Sequence, residues 1–416
     1  DYSPYKYEVL FTNPICKTYQ YRQVMVSNNG NELLSKPKNA YCKSHDSKPS
    51  VNRINSPHQR LIDWIRDEQT TEIFLAYLSF SNRGIAKELC QAIRTRSLKV
   101  TLVFDSNNES DTGRMATANS LNKCRPTLSA GDAPLVVTRG NVGGLGYAHN
   151  KLFFVNPHDK KAVRIAVSSG NMSSGTSTHH ENWHFITTSS QSYFSKVHHC
   201  LMNGMLDHSE TKKIYVDYVK LCRSKINATP ENDIKVYFIP GDGKAAMSSI
   251  KKSIKASHTV EMAAHRFSNR DLISALTRAL KNKKKIKLIV DDDMYYTGIY
   301  RQDMGRNTQF EFKKIDLLRK SGMKIQYMET YADDLFSPRR LQLQHNKFLI
   351  FHTQNNTGSI FAGAGNLTGS AFTKNLENFY HVSITEVYQA FKEQYKHMWN
   401  QLSTSYSQMP DQLALP

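Results

Sequence analysis

The stretch His149-Asn150-Lys151-Leu152-Phe153-Phe154-Val155 returns 196 positions later as His345-Asn346-Lys347-Phe348-Leu349-Ile350-Phe351. In each copy a polar triplet opens an apolar run, the pattern of a strand buried on both faces. Side chains alternate along a strand, so His149 and Lys151 point to one side, as do His345 and Lys347. The polar residues downstream repeat too. Ser168-Ser169-Gly170-Asn171 follows the first copy and Gly363-Ala364-Gly365-Asn366 the second, and Glu181-Asn182 and Glu377-Asn378 come after them. The step from His to Glu is the same in both copies (181 − 149 = 377 − 345 = 32). Two matched sets of His, Lys, Asn and Glu in one chain suit two half-sites facing each other across one phosphate.

The duplication extends upstream. Phe80-Ser81-Asn82-Arg83 recurs as Phe267-Ser268-Asn269-Arg270. Each tetrapeptide follows an apolar, strand-forming run (73–78 and 260–264). Each then opens a helical pattern, with Ile85, Leu89, Ala92 and Ile93 in one copy and Leu272, Leu276, Ala279 and Leu280 in the other. Ser81 or Asn82, and Ser268 or Asn269, suit the N-caps. A second strand ends at Asp105 in one copy and at Asp291 in the other, and strands at 163–167 and 359–362 lead towards Asn171 and Asn366. Alternating strands and helices of this kind predict an α/β protein of two halves, each with a largely parallel sheet. The halves are expected over 51–205 and 233–403, with an N-terminal extension at 1–50 packing on the first half, a connector at 206–232 and a tail at 404–416. The connector is read as partly helical, with Ile214, Tyr218 and Leu221 on one face. The segments 107–146 and 294–340 read as long connections that rim the site.

With 416 residues, 39% of them hydrophobic, the chain can build two full cores. No run approaches the roughly 18 apolar residues of a membrane span, so stable membrane insertion is not expected. The formal charge of +19 favours a polyanionic partner, nucleic acid or an anionic membrane surface. The six cysteines form no CxxC pair, which gives zinc-ribbon and thioredoxin-like readings no support. Their grouping suits three local disulfides, Cys16–Cys42, Cys90–Cys124 and Cys200–Cys222, in an oxidising compartment, with six free buried thiols in a cytosolic enzyme as the alternative. A first residue that is not Met fits either a removed signal peptide or a trimmed chain, and the disulfide reading carries the expectation of a secreted or periplasmic protein.

Two lysines and two asparagines can hold the non-bridging oxygens of a phosphodiester and offset charge in the transition state, which leaves two histidines for attack and proton delivery. Here the sequence resembles the phospholipase D superfamily, whose pattern H-x-K-x4-D followed by G-S-x-N occurs twice. His149, Lys151, Ser169 and Asn171 fit one copy, and His345, Lys347, Gly363 and Asn366 the other. The resemblance covers roughly residues 56–403. It implies two phospholipase D-like α/β/α halves in a pseudo-twofold arrangement, with the active site in the cleft between them. It also implies metal-free chemistry without a cofactor, a phosphohistidine formed on His149 and a leaving group protonated by His345. Glu181 and Glu377 match glutamates that hold the histidine rings in some members. Such a carboxylate is expected to keep the acid protonated at neutral pH.

The sequence departs from the family pattern at both aspartates and at the second serine. Asn156 and His352 stand where the motif has Asp, and Ala364 replaces the second serine. The missing aspartates make the motif similar to that of the tyrosyl-DNA phosphodiesterase branch. Asp291-Asp292-Asp293 reads as a strand-end cap rather than a metal cluster. His179-His180 and His198-His199 lack helical ligand spacing, so no metal site is expected, and His265 reads as a core or rim residue. Trp183 and Phe379 read as packing residues.

The resulting expectation is a monomeric, metal-independent phosphodiesterase acting on nucleic acid, DNA foremost. The alternative is a secreted phospholipase D or phosphatidyl-transferase acting on phospholipid headgroups, and a third reading is a non-catalytic polyanion binder.

Overall fold

The computed structural model describes residues 5–13, 19–21, 40–42, 56–124, 134–173, 179–301, 303, 307–328 and 343–409. The first half contains β1 (Lys6–Thr12), β2 (Glu72–Tyr77), β3 (Lys99–Asp105), β4 (Leu135–Arg139), β5 (Lys151–Val155), β6 (Ala162–Ser168) and β7 (His179–Ser189). The second contains β8 (Ile234–Ile239), β9 (Thr259–Ala264), β10 (Lys285–Asp291), β11 (Lys324–Met328), β12 (Leu343–Gln344), β13 (Lys347–His352), β14 (Gly358–Gly363), β15 (Glu377–Val382) and β16 (Ser403–Ser405). Helices α1 (Pro57–Arg66), α2 (Arg83–Arg96), α3 (Thr112–Ser120), α4 (Tyr193–Asp207) and α5 (Lys212–Ser224) belong with the first set of strands. Helices α6 (Gly243–Ala256), α7 (Arg270–Lys281), α8 (Asp293–Tyr300), α9 (Thr308–Lys320) and α10 (Thr385–His397) belong with the second.

The strand orders are β1-β7-β6-β5-β2-β3-β4 and β8-β15-β14-β13-β9-β10-β11-β16, so the two sheets match place for place over seven strands. Both sheets are mixed rather than largely parallel. β2, β3 and β4 run parallel, as do β9, β10 and β11, while the strands on the other side of β2 and of β9 pair antiparallel. The connections decide this. Helical crossovers return the chain to a parallel start, whereas the short turn at 156–161 between β5 and β6 allows only a hairpin. The long segments expected as rims hold those crossovers: 107–146 contains α3 and β4, and 294–340 contains α9 and β11. Residues 6–12, placed by sequence outside the first half, pair with β7 as an edge strand, in the position β8 takes beside β15.

Three apolar cores hold these layers. Leu152 and Phe154 of β5 meet a central core shared with Phe348 and Ile350 of β13 and with Phe194, Leu201, Tyr215 and Phe391 of α4, α5 and α10. Phe153 and Val155 face the opposite way, into a core with Leu61 of α1 and Leu89 of α2. Leu349 and Phe351 do the same against Leu272 and Leu276 of α7. Burial on both faces is why the motif strands carry unbroken apolar runs. In α5 the buried stripe is Tyr215 and Val219, while Ile214 and Leu221 are exposed. The helix is rotated from the face read in sequence, because Tyr215 and Val219 pack over Gly204 of α4, where a Cβ would meet them at 3.1 and 2.9 Å. Disulfides Cys90–Cys124 and Cys200–Cys222 form as expected, and Cys16, of the third expected pair, lies outside the described residues.

Candidate active site

The repeated Phe-Ser-Asn-Arg turns position the motif asparagines. The backbone N–H groups of Ser81 and Asn82 donate to the carbonyl of Met172 at 2.8 and 3.1 Å, and those of Ser268 and Asn269 donate to Leu367 at 2.9 and 3.0 Å. Met172 and Leu367 directly follow Asn171 and Asn366. The Asn82 and Asn269 side chains meanwhile cap α2 and α7 by accepting from Ile85 N and Leu272 N. One tetrapeptide thus starts a helix and fixes the loop carrying a motif Asn.

The glutamates cross between halves. His149 Nδ1 bonds Glu377 Oε2 at 2.8 Å, and His345 Nδ1 bonds Glu181 Oε1 at 2.7 Å. Each carboxylate therefore orients the histidine of the other half. The flanking asparagines cross in the same way. Asn150 Nδ2 donates to Asn378 Oδ1 at 3.3 Å, and Asn182 Nδ2 donates to Asn346 Oδ1 at 2.9 Å. Backbone bridges complete the seam, with Ala148 beside Leu376 and Gln344 beside His180. Sequence reasoning singled out the glutamates but assigned no function to Asn150, Asn182, Asn346 and Asn378. Their repetition at matched positions was the available signal.

Each lysine sits against the imidazole of its own motif. Lys151 Nζ lies 3.3 Å from both ring nitrogens of His149 and donates to the His149 carbonyl at 2.9 Å. Lys347 Nζ donates to the His345 carbonyl at 2.9 Å and, across the interface, to the Ser169 carbonyl at 3.0 Å. Both lysines and both glutamates are buried, so two ammoniums face two carboxylates in a low-dielectric pocket. Burial lowers Lys151 to about 8 against the pull of Glu377, Glu181 and Asp105, and it lowers Lys347 well below the usual lysine range. Burial likewise takes His149 down to about 4; Glu377 opposes the fall and Lys151 adds to it. His345 is held well below its ordinary value by burial, then by Lys347, His179 and Lys151. This corrects the expectation that a carboxylate keeps the ring protonated at neutral pH. Desolvation outweighs it, and both free imidazoles are neutral. With Nδ1–H donated to a carboxylate, Nε2 carries the lone pair.

The departures from the family pattern all have structural partners. Asn156 takes a left-handed φ of 52°, favourable to Asn, and its Oδ1 accepts from Thr71 N and Glu72 N at the start of β2. His352 bonds Tyr388 Oη at 2.7 Å and Glu261 Oε2 at 2.8 Å. Both lie at the far ends of their motif strands, roughly 16 Å along the chain from the lysines at the usual rise. Ser169 Oγ donates to Glu181 Oε2 at 2.6 Å. Where Ala364 removes that hydroxyl, Asn375 Nδ2 donates to Glu377 Oε1 at 3.1 Å instead. Asp105 and Asp291 accept from the backbone N–H of Ala148 and Gln344, the residues just before the motif histidines. Asn171 and Asn366 are half-buried, and neither Oδ1 has a partner among the described residues. Trp183 and Phe379 are buried against the glycines before these asparagines.

The halves differ at two histidines. His265, half-buried, lies with its ring centroid 4.6 Å from that of His345 and is a neighbour of the motif. Its counterpart in the first repeat is Leu78. His179, the counterpart of Asn375, has Nδ1 3.4 Å from Glu181 Oε1 and its ring 5.4 Å from that of His345. Metal-ligand atoms converge here, one each from His179, Glu181 and His345, and also in Asp291-Asp292-Asp293.

A family model described as the phospholipase D-like domain of cardiolipin synthase matches residues 250–399. Phosphatidylserine synthase of Haemophilus influenzae Rd KW20 superposes with a TM-score of 0.57 at 13% identity, covering 84% of this chain and 86% of that one. Polyphosphate kinase of Porphyromonas gingivalis gives 0.50 at 12% identity, covering 84% of this chain and 47% of that one. Yeast tyrosyl-DNA phosphodiesterase gives 0.46 at 12% identity, covering 78% and 85%. At these identities the likeness is one of fold. No curated protein matches the chain in sequence. The two halves share one strand order, and the residues of the paired motifs meet where the halves join. Residues 250–399 are thus similar to a phospholipase D-like domain, and the likeness of fold extends over most of the chain.

Proposed function

We propose that this protein is a metal-independent phosphodiesterase that hydrolyses nucleic acid, DNA foremost, through a phosphohistidine. The crossed His–Glu pairs beside two buried ammoniums carry the reading, since they give one pocket two oriented imidazoles and positive charge for one diester. Lys151, Lys347, Asn171 and Asn366 hold the non-bridging oxygens. His149 Nε2 attacks phosphorus, an N–P bond forms, and the P–O bond to the leaving group breaks as His345 delivers a proton to that oxygen. The bound anion opposes the burial, and after it the ammoniums, that keep the free His345 neutral, so the acid is charged when substrate arrives. His345 then takes a proton from water, whose oxygen attacks phosphorus and releases His149. Glu377 and Glu181 hold the Nδ1–H of each ring throughout.

The charge of +19 supports a polyanionic substrate. Among the described residues the exposed large apolar side chains are spread over several elements, with Leu135 on β4, Ile214 and Leu221 on α5, and Phe310 and Leu317 on α9, and no described helix is long and apolar enough to cross a membrane. The second reading, phosphatidyl transfer or phospholipid headgroup hydrolysis, is supported by the description of the matching family model and by the fold match to phosphatidylserine synthase. Incubation with plasmid, single-stranded DNA, RNA and phosphatidylcholine vesicles in EDTA separates the two. Cleavage of nucleic acid supports the nuclease, and headgroup release with nucleic acid intact replaces it. His149→Ala and His345→Ala should each abolish turnover, because one site needs both.

A further inference from the structure

We propose that His179, Glu181 and His345 form a binding site for a zinc-class divalent ion, and that its occupancy shuts the active site. Two imidazoles and a carboxylate are a ligand set such ions favour. One ligand atom from each of the three lies within 4.8 Å of the others. Zinc bonds of about 2.0–2.2 Å place tetrahedral ligand atoms about 3.3–3.6 Å apart. His179 Nδ1 and Glu181 Oε1 already stand 3.4 Å apart. His345 Nδ1 and Glu181 Oε1 are closer, at 2.7 Å, because a proton lies between them. Replacing that proton by the ion requires the pair to open by under about 1 Å. A fourth donor is at hand in His265, whose ring packs against that of His345 and whose Nδ1 has no partner among the described residues.

The asymmetry of the two halves points the same way. Around Glu377 the extra position is Asn375, an amide that donates to the carboxylate and ligates poorly. Around Glu181 it is His179, and Leu78 of the first repeat is replaced by His265 in the second. Imidazoles have gathered at one of two otherwise matched carboxylates.

An ion on His345 Nδ1 leaves the ring's remaining proton on Nε2 and takes Glu181 away as the partner of Nδ1–H. The ring can then neither cycle a proton through Nε2 with its carboxylate in place nor take up the charge that the acid role requires. This inhibitory step rests on the phosphodiesterase reading, whereas ion binding does not.

Calorimetric titration of zinc into the EDTA-stripped, dialysed protein tests the site directly, with turnover of bis(p-nitrophenyl) phosphate as the second readout. One zinc should bind per chain, and turnover should fall with the same midpoint and return in EDTA. His179→Asn, which copies the other half, should weaken zinc binding roughly 10- to 100-fold and move the inhibition midpoint equally, while keeping turnover in EDTA. Zinc affinity equal in wild type and His179→Asn would overturn the site. Binding lost in His179→Asn with wild-type turnover unaffected by saturating zinc would keep the site and overturn its inhibitory action. A protein that turns over no diester but shows the affinity change keeps the site and refutes the phosphodiesterase reading.

Discussion

Replacing Glu377 by Gln tests the crossed geometry most directly. Glu377 is fully buried and accepts twice, from His149 Nδ1 at 2.8 Å and from Asn375 Nδ2 at 3.1 Å. An amide has one accepting oxygen, so its NH2 must face either an imidazole N–H or the Asn375 amide, donor against donor. Losing the charge-assisted bond to the ring costs about 1.5–3 kcal/mol, or roughly 10- to 150-fold in rate. If the ring also flips its proton to Nε2, the attacking lone pair is gone, and the comparable change in a serine-protease triad costs about 10⁴. The expected fall in kcat is therefore about 10-fold to 10⁴-fold. Stability should fare better. Two buried ammoniums lose one of two balancing carboxylates, and an uncompensated buried charge costs about 3–5 kcal/mol. Lys151, already lowered to about 8, can instead shed its proton at pH 7 for about 1.4 kcal/mol. The cheaper response prevails, so the variant folds with a modest loss of Tm. Turnover of bis(p-nitrophenyl) phosphate and a thermal melt read both quantities. A kcat within about threefold of wild type, under 1 kcal/mol of lost stabilisation, would refute the claim that the opposite half's carboxylate sets the histidine.

Two further outcomes follow from the same site. Lys151 carries its charge below about 8, and His149 is neutral above about 4, so kcat/KM for an anionic diester should fall as pH rises through about 8 and again as it drops towards 4. A lysine whose pKa falls on folding subtracts stability below its folded value and stops doing so as pH rises towards the unfolded one, so a melt series should show that penalty fading just where activity is lost. Asn182→Ala should cost about 1–3 kcal/mol by leaving the buried Asn346 Oδ1 without its 2.9 Å donor. Denaturant unfolding beside Asn346→Ala and the double variant would measure the coupling, and additive costs would show that the pair does not hold the halves together.

Much of the architecture was legible because it was written twice. The matching Phe-Ser-Asn-Arg turns located the helix caps at Asn82 and Asn269, and the paired motif strands located the core. Sheet direction was not legible from periodicity, because an apolar run buried on both faces looks alike in parallel and antiparallel neighbours. Residues 6–12 escaped notice because their partner β7 lies far along the chain and an edge strand needs no strong pattern of its own. His179 and His265 were discounted for a related reason: reasoning from a repeat weighs what matches, and these two residues matter through having no counterpart.

The crossing of the glutamates was beyond the reach of spacing. A step of 32 residues from His to Glu in both copies is equally compatible with each carboxylate serving its own histidine, and only the packing of the halves distinguishes the two. Because each half holds the other's ring, neither half alone contains an oriented imidazole. In the proposed reaction the seam from Ala148 to Leu376 and from Gln344 to His180 is then part of the site's geometry as well as of the fold. A shift of even about 1 Å along it would lengthen both His–Glu bonds at once and cost about 10² in rate with every site residue still present.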